Sequence, residues 1–117
     1  MPKILIVDDE PRITRVFGQA FEREAGYEIT CANDGREALR LLQAGHFELI
    51  VLDWRLKGEV EGKDVLAFAK KESPQTPVFV VTASVQSVRE IQSLGADQCL
   101  LKPCADLKNH IKKLFPS

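Results

Sequence analysis

A chain of 117 residues, 44% hydrophobic and 28% charged, has the size and composition of one globular domain with its own core, and the whole of 1–117 is read as that domain. Sixteen Lys and Arg against seventeen Asp and Glu leave a net charge of −1, which excludes a global attraction to nucleic acid or an anionic membrane; any electrostatic function has to be local. No apolar run approaches the ~18 residues of a membrane span, and the opening "ILIV" is cut off by Asp8 before it could serve as the core of a signal peptide.

In chain order, "KILIV" (3–7) is a nearly continuous aliphatic run and predicts a strand covered on both faces. It runs straight into Asp8, Asp9 and Glu10. Ile13, Val16, Phe17, Ala20 and Phe21 then recur at helical spacing, with Pro11 in the first turn and Gly26 past the end, predicting an amphipathic helix. "YEITC" (27–31) alternates, as an edge strand does, and "DGREALRLLQAG" predicts a helix capped by Asp34 and stopped by Gly45. "FELIVL" (47–52) is a second continuous strand, ending at Asp53, and the polar, glycine-rich "KGEVEGK" (57–63) follows it. Val65, Phe68 and Ala69 mark a helix, "PVFVV" (77–81) a third continuous strand ending at Thr82, and Val88, Ile91 and Leu94 another helix. "DQCLL" (97–101) leads to Lys102, and Leu107, Ile111 and Leu114 make the last helix.

Five strands alternating with helices imply right-handed crossovers and a doubly wound (βα)5 fold, a parallel sheet with helices on both faces. In such a sheet, ligands gather at the carboxyl ends of the strands. Asp8 and Asp9 lie at the end of the first strand, Asp53 of the third, Thr82 of the fourth and Lys102 of the fifth, so groups scattered along the chain converge on one rim. Clustered carboxylates repel one another unless a cation joins them, and hard oxygen donors on a small rim favour Mg²⁺. One carboxylate can then act as a nucleophile toward phosphorus, with Lys102 as a point charge and the Thr82 hydroxyl as a donor for phosphoryl oxygens.

"LIVDDE", "LIVLDW", "VVTA" and "LLKP", in this order and on these strand ends, resemble the receiver domain of two-component response regulators over essentially the whole chain. The resemblance implies a flavodoxin-like sheet in the order 2-1-3-4-5 and phosphorylation of an aspartate by a histidine kinase or a histidine phosphotransfer protein. Carried over by position, Asp53 is the phosphoacceptor, Asp9 a direct Mg²⁺ ligand and Asp8 a ligand acting mainly through water, with the backbone carbonyl of Arg55 completing the set. Thr82 and Lys102 grip the phosphoryl group, and the Lys102–Pro103 bond is cis. The domain would be cytoplasmic, would catalyse only its own labelling and hydrolysis, and would act on a downstream protein or a linked output domain. It would touch neither nucleic acid nor membrane directly. Since the last helix ends close to Ser117, the sequence is read as a stand-alone receiver or as one cut from a longer protein.

Blander readings compete for each residue. Asp8 and Asp9 could cap the first helix, Thr82 could cap the fourth, and Lys102 could be a solvated lysine. Their register with Asp53 decides against these readings taken singly. His46 and His110 are isolated and receive no role; Cys31, Cys99 and Cys104, an odd number without CxxC spacing, read as reduced thiols. The chain also departs from the family pattern. Cys99 stands where an aromatic that turns inward with the threonine is common, Lys57 where a proline is usual, and Gly62 one residue late. Arg55 and Ser84 border the path of hydrolytic water in the family, and Arg55 is expected to lie over the phosphoryl group and slow its loss. A phosphorylation-independent docking module is the alternative function. A true phosphohydrolase would need a general acid or base that the sequence does not supply.

Overall fold

A computed structural model describes residues 2–10, 26–102 and 107–115. Among them, five strands, β1 (Lys3–Val7), β2 (Glu28–Ala32), β3 (Leu49–Asp53), β4 (Val78–Thr82) and β5 (Gln98–Leu101), form one sheet. Its order is β2-β1-β3-β4-β5, and every neighbouring pair is parallel. Helices α1 (Gly35–Ala44), α2 (Gly62–Glu72), α3 (Val88–Ser93, entered through a 3₁₀ turn at Val85–Ser87) and α4 (Leu107–Leu114) complete the described elements. The helix expected from Ile13 to Phe21, the Lys102–Pro103 bond and Cys104 lie outside the described residues.

The continuous apolar strands are the central ones. Successive residues of β1, β3 and β4 point to opposite faces and both faces are covered, which is why these runs show no polar alternation. Leu5, Val7, Ile50, Leu52, Val78 and Val80 pack beneath Ala38 of α1, Val65, Leu66 and Ala69 of α2 and Ile91 of α3. Ile4, Ile6, Leu49, Val51, Phe79 and Val81 face the other way, onto Tyr27 and onto Leu107 and Ile111 of α4. Burying each of these Leu, Ile or Val side chains is worth about 1.5–3 kcal/mol, so the two layers carry the fold. The alternating β2 is an edge, as its pattern predicts.

β2, β3 and β4 each run one residue further than the apolar runs suggest, through Ala32, Asp53 and Thr82. At Asp53 and Thr82 hydropathy ends because the side chains turn polar, but ladder hydrogen bonds are indifferent to side chains. The Trp54 N–H still donates to the Val81 carbonyl at 2.9 Å and the Lys102 N–H to that of Thr82 at 2.9 Å. Asp97, read as strand, instead uses its carboxylate to accept from the Val78 N–H at 2.8 Å and the Lys70 ammonium at 2.5 Å, fixing the starts of β4 and β5 to α2.

At the helix ends, Asp34 caps α1 by accepting from the Glu37 N–H at 2.7 Å, as its place before the apolar stripe predicts. Leu94 departs from expectation. Helix α3 is only six residues long and gives way to Gly95 at φ +101°, so Leu94 ends 45% exposed while Ile91 takes the buried place.

Two glycines seat the loop between β3 and α2. A Cβ on Gly35 would lie 2.5 Å from the Val60 carbonyl oxygen, and one on Gly62 would fall on the Trp54 carbonyl. These obstacles are backbone, which cannot swing aside. Gly62→Ala is therefore expected to destabilise the fold by about 1–3 kcal/mol, the cost of overpacking, seen as a lower Tm in thermal unfolding followed by circular dichroism.

Candidate functional site

Register decides which polar groups meet. Val7 pairs with Leu52, so Asp8 lies level with Asp53 on the neighbouring strand. Asp53 pairs with Val81, placing Thr82 one step beyond, and Thr82 pairs with Leu101, placing Lys102 one step beyond that. The rim expected from the sequence is thus assembled by the sheet itself.

Asp8, Asp9 and Asp53 each bring one carboxylate oxygen to within 4.8 Å of the others. Asp8 and Asp53 are buried and Asp9 is half-buried. The Lys102 ammonium reaches Asp53 Oδ1 at 3.3 Å. Burial pushes the Asp53 carboxyl above its ordinary range; Lys102 pulls it back down, while Asp8 and Asp9 add to the rise. Asp8 is raised in the same way, by burial first, against the Glu10 N–H that donates to its Oδ1 at 2.9 Å and against Lys102. One ammonium facing three carboxylates leaves an excess of negative charge in a partly desolvated pocket. The residues present therefore fit a small divalent cation, which takes hard oxygen donors and tolerates several waters.

Thr82 is 2% exposed, and its Oγ1 accepts from the Ser84 N–H at 3.1 Å. That bond closes a local turn ahead of the 3₁₀ segment, so the hydroxyl serves the loop's geometry while keeping its own proton for another acceptor. Arg55 is exposed and lines a groove of about 380 Å³ with Trp54, Glu61, Lys63 and Glu90 among others. Cys99 is half-buried against the layer beneath α1–α3, its thiol pushed up by burial. His46 is exposed, and His110 meets Phe79 edge-on at 6.4 Å. Neither belongs to the acidic cluster.

Some contacts in the site were not readable from residue types, because the donors are main-chain. The Glu10 and Ser84 N–H groups are two, and the Lys57 N–H, which donates to Asp9 Oδ2 at 3.2 Å, is a third.

The comparisons with known proteins bear on the family and the fold. The family model of the response regulator receiver domain matches residues 4–114. The chain belongs to the response regulator receiver domain family. Among relatives, it is 41% identical over 105 residues to the alginate biosynthesis transcriptional regulatory protein AlgB of Pseudomonas putida, covering 88% of this chain and 23% of AlgB. It is 35% identical over 103 residues to the regulatory protein AtoC of Escherichia coli, covering 86% of this chain and 22% of AtoC. The chain thus spans under a quarter of the length of these two regulators. Two solved receivers superpose along nearly their whole length. A CheY-like receiver domain protein from Methanospirillum hungatei has a TM-score of 0.88 at 33% identity, covering 97% of this chain and 94% of that one. TrrA of Thermotoga maritima, solved in complex with Mg²⁺-BeF, has a TM-score of 0.86 at 32% identity, covering 97% and 99%. The fold expected for a receiver, order 2-1-3-4-5 with helices on both faces, is the fold observed. Among the described residues of this receiver, no helix is long and apolar enough to cross a membrane.

Proposed function

We propose that this receiver is a phosphoacceptor switch of a two-component system, with Asp53 as the acceptor and a histidine kinase or histidine phosphotransfer protein as the donor. The observation that carries the reading is the convergence of Asp8, Asp9 and Asp53 oxygens within 4.8 Å of one another, with Lys102 on Asp53. In this reading, an Asp53 carboxylate oxygen attacks phosphorus, the phosphorus–nitrogen bond of the donor breaks, and the leaving imidazole keeps the electron pair and takes up a proton. Asp9, Asp53 and the Arg55 carbonyl would hold Mg²⁺, with Asp8 acting mainly through water. When bound, the cation supplies neutralisation of charge on the transferring phosphoryl oxygens. Lys102 leaves its ion pair for a phosphoryl oxygen as Asp53 loses its charge, and the Thr82 hydroxyl donates to another. Reaction and reversal both occur on the protein's own side chain, so the domain works as a signalling part and not as an enzyme on outside substrates. Its output is altered binding of a downstream protein or a linked output domain, in the cytoplasm, without direct contact to nucleic acid or membrane. The transcriptional regulators among its relatives support a linked output.

Trp54 is the sole tryptophan and directly follows Asp53. Its fluorescence is expected to change on titration with Mg²⁺, and again when beryllofluoride or a small phosphodonor is added, alongside a mass gain of one phosphoryl group. The absence of both responses would overturn the phosphoacceptor reading. It would favour the docking module instead, to which Cys99, in place of the usual aromatic, lends its support.

A further inference from the structure

The residue that follows Asp53 is held from two sides. The Trp54 N–H donates to the Val81 carbonyl at 2.9 Å, which ties the start of the residue to β4. Its carbonyl lies against Gly62, the first residue of α2, where an added Cβ would collide with it. Trp54 is also the link between two of the proposed cation ligands, since Asp53 precedes it and Arg55 follows it. The way the Trp54–Arg55 peptide plane is turned therefore fixes how the Arg55 carbonyl stands relative to the Asp53 carboxylate.

We infer that Gly62 is a positioning residue for the cation site: by letting the first turn of α2 close on the Trp54 carbonyl, it sets the Trp54–Arg55 peptide so that the Arg55 carbonyl can join Asp53 on Mg²⁺. The inference rests on the proposed Mg²⁺ site. What decides it is which side gives way when a methyl group is added at position 62. Helix α2 does not retreat cheaply, because Val65 and Leu66 are fully buried and Ala69 nearly so, and withdrawing them would open voids in a packed layer. The Trp54 nitrogen is held in the ladder. The part left free to turn is the peptide plane between Trp54 and Arg55, through the dihedral on either side of it. Added bulk at Gly62 is thus relieved next to the ligand-bearing carbonyl. Loss of a group that orients a metal ligand typically lowers affinity about 10- to 100-fold. Here a neutral ligand is displaced while the carboxylates stay, which places the effect at the lower end.

Gly35 supplies the control. A Cβ there would lie 2.5 Å from the Val60 carbonyl oxygen, a clash of the same kind with the same loop. Val60, however, lies beyond Gly58, where the chain turns through φ +101°, so that clash does not bear on the Trp54–Arg55 peptide. The test is Mg²⁺ titration of the full chain by calorimetry, at a temperature where circular dichroism shows each variant folded. Gly62→Ala is expected to bind Mg²⁺ about tenfold more weakly than the parent, and Gly35→Ala as tightly as the parent. Equal affinity of Gly62→Ala and the parent would overturn the inference, and so would an equal loss in Gly35→Ala, the mark of a general loosening. A parent chain that takes up no Mg²⁺ overturns the function reading together with this inference, whereas a binding parent with an unaffected Gly62→Ala variant sinks this inference alone. Should Gly62→Ala fail to fold, the carbonyl ¹³C resonances of the labelled parent decide. On addition of Mg²⁺ the Arg55 carbonyl is expected to move further than that of Trp54, which Gly62 keeps against α2. An equal or larger movement at Trp54 would overturn the inference.

Discussion

Asp53→Asn is expected to abolish phosphoryl uptake: no mass gain with a small phosphodonor and Mg²⁺, and no hydroxylamine-sensitive label from any histidine donor. An amide oxygen is a far poorer nucleophile than a carboxylate, and Asp53 is the acid that Lys102 contacts, at 3.3 Å. Asp8 and Asp9 stand close enough to be tempting substitutes, but both come from the end of β1, with β3 and β4 lying between it and the β5 end that carries Lys102, whereas only β4 separates Asp53 on β3 from that end. The loss should therefore be complete within detection and not a shift of label to a neighbour. Asp9→Asn separates the roles. It leaves the acceptor in place while weakening the cation site, so slow residual labelling at high Mg²⁺ is expected there and none in Asp53→Asn. Labelling of the Asp53→Asn chain at any rate comparable to the parent would remove Asp53 from the mechanism.

How much of this was legible beforehand follows from what each feature depends on. The sheet could be read because β1, β3 and β4 are buried on both faces, which forces runs such as Leu49–Leu52 to be apolar throughout. The rim could be read because a parallel sheet places all its carboxyl ends together, so Asp8, Asp53, Thr82 and Lys102 needed only their strand assignments to be brought together. This helix was expected, but the end of α3 before Leu94 was not legible, because Leu94 fits the helical spacing from Val88 and Ile91 and nothing in side-chain periodicity reports that the helix stops one residue earlier. The turn of the β3–α2 loop escaped for a different reason. Its decisive donor is the Lys57 amide, and Gly62 matters for the Cβ it lacks against Trp54. Patterns of side chains cannot show backbone hydrogen bonds or close backbone approaches, and these two contacts are of those kinds.

Asp8→Asn is expected to stabilise the fold in Mg²⁺-free buffer at neutral pH, by about 0.5–2 kcal/mol, the common yield of a single stabilising change. For a domain of this size that is a rise of roughly 4 °C in Tm for each kcal/mol. Asparagine keeps the side-chain oxygen that accepts from the Glu10 N–H, so the substitution removes charge without orphaning a donor. The pH dependence gives the sign. Burial raises the Asp8 carboxyl above its ordinary value of 3.8 in the folded state, so between that value and the raised one the folded chain binds more protons than the unfolded chain. The slope of stability with pH is then negative, and stability falls as pH rises through this window and stays reduced above it. The variant does not pass through that fall at position 8. Its advantage should be absent in strong acid, open as Asp8 ionises, and remain constant at neutral pH. Saturating Mg²⁺ should reverse the order. A ligand bound only by the folded state adds about 2.7 kcal/mol at a hundred times its Kd, and the parent, with three carboxylates in the cluster against the variant's two, gains more of it. Thermal unfolding of both chains across pH, with and without Mg²⁺, should therefore show the two stability orders crossing. Parallel behaviour under all conditions would mean that the rim's charge is neither a strain on the empty fold nor the basis of cation binding.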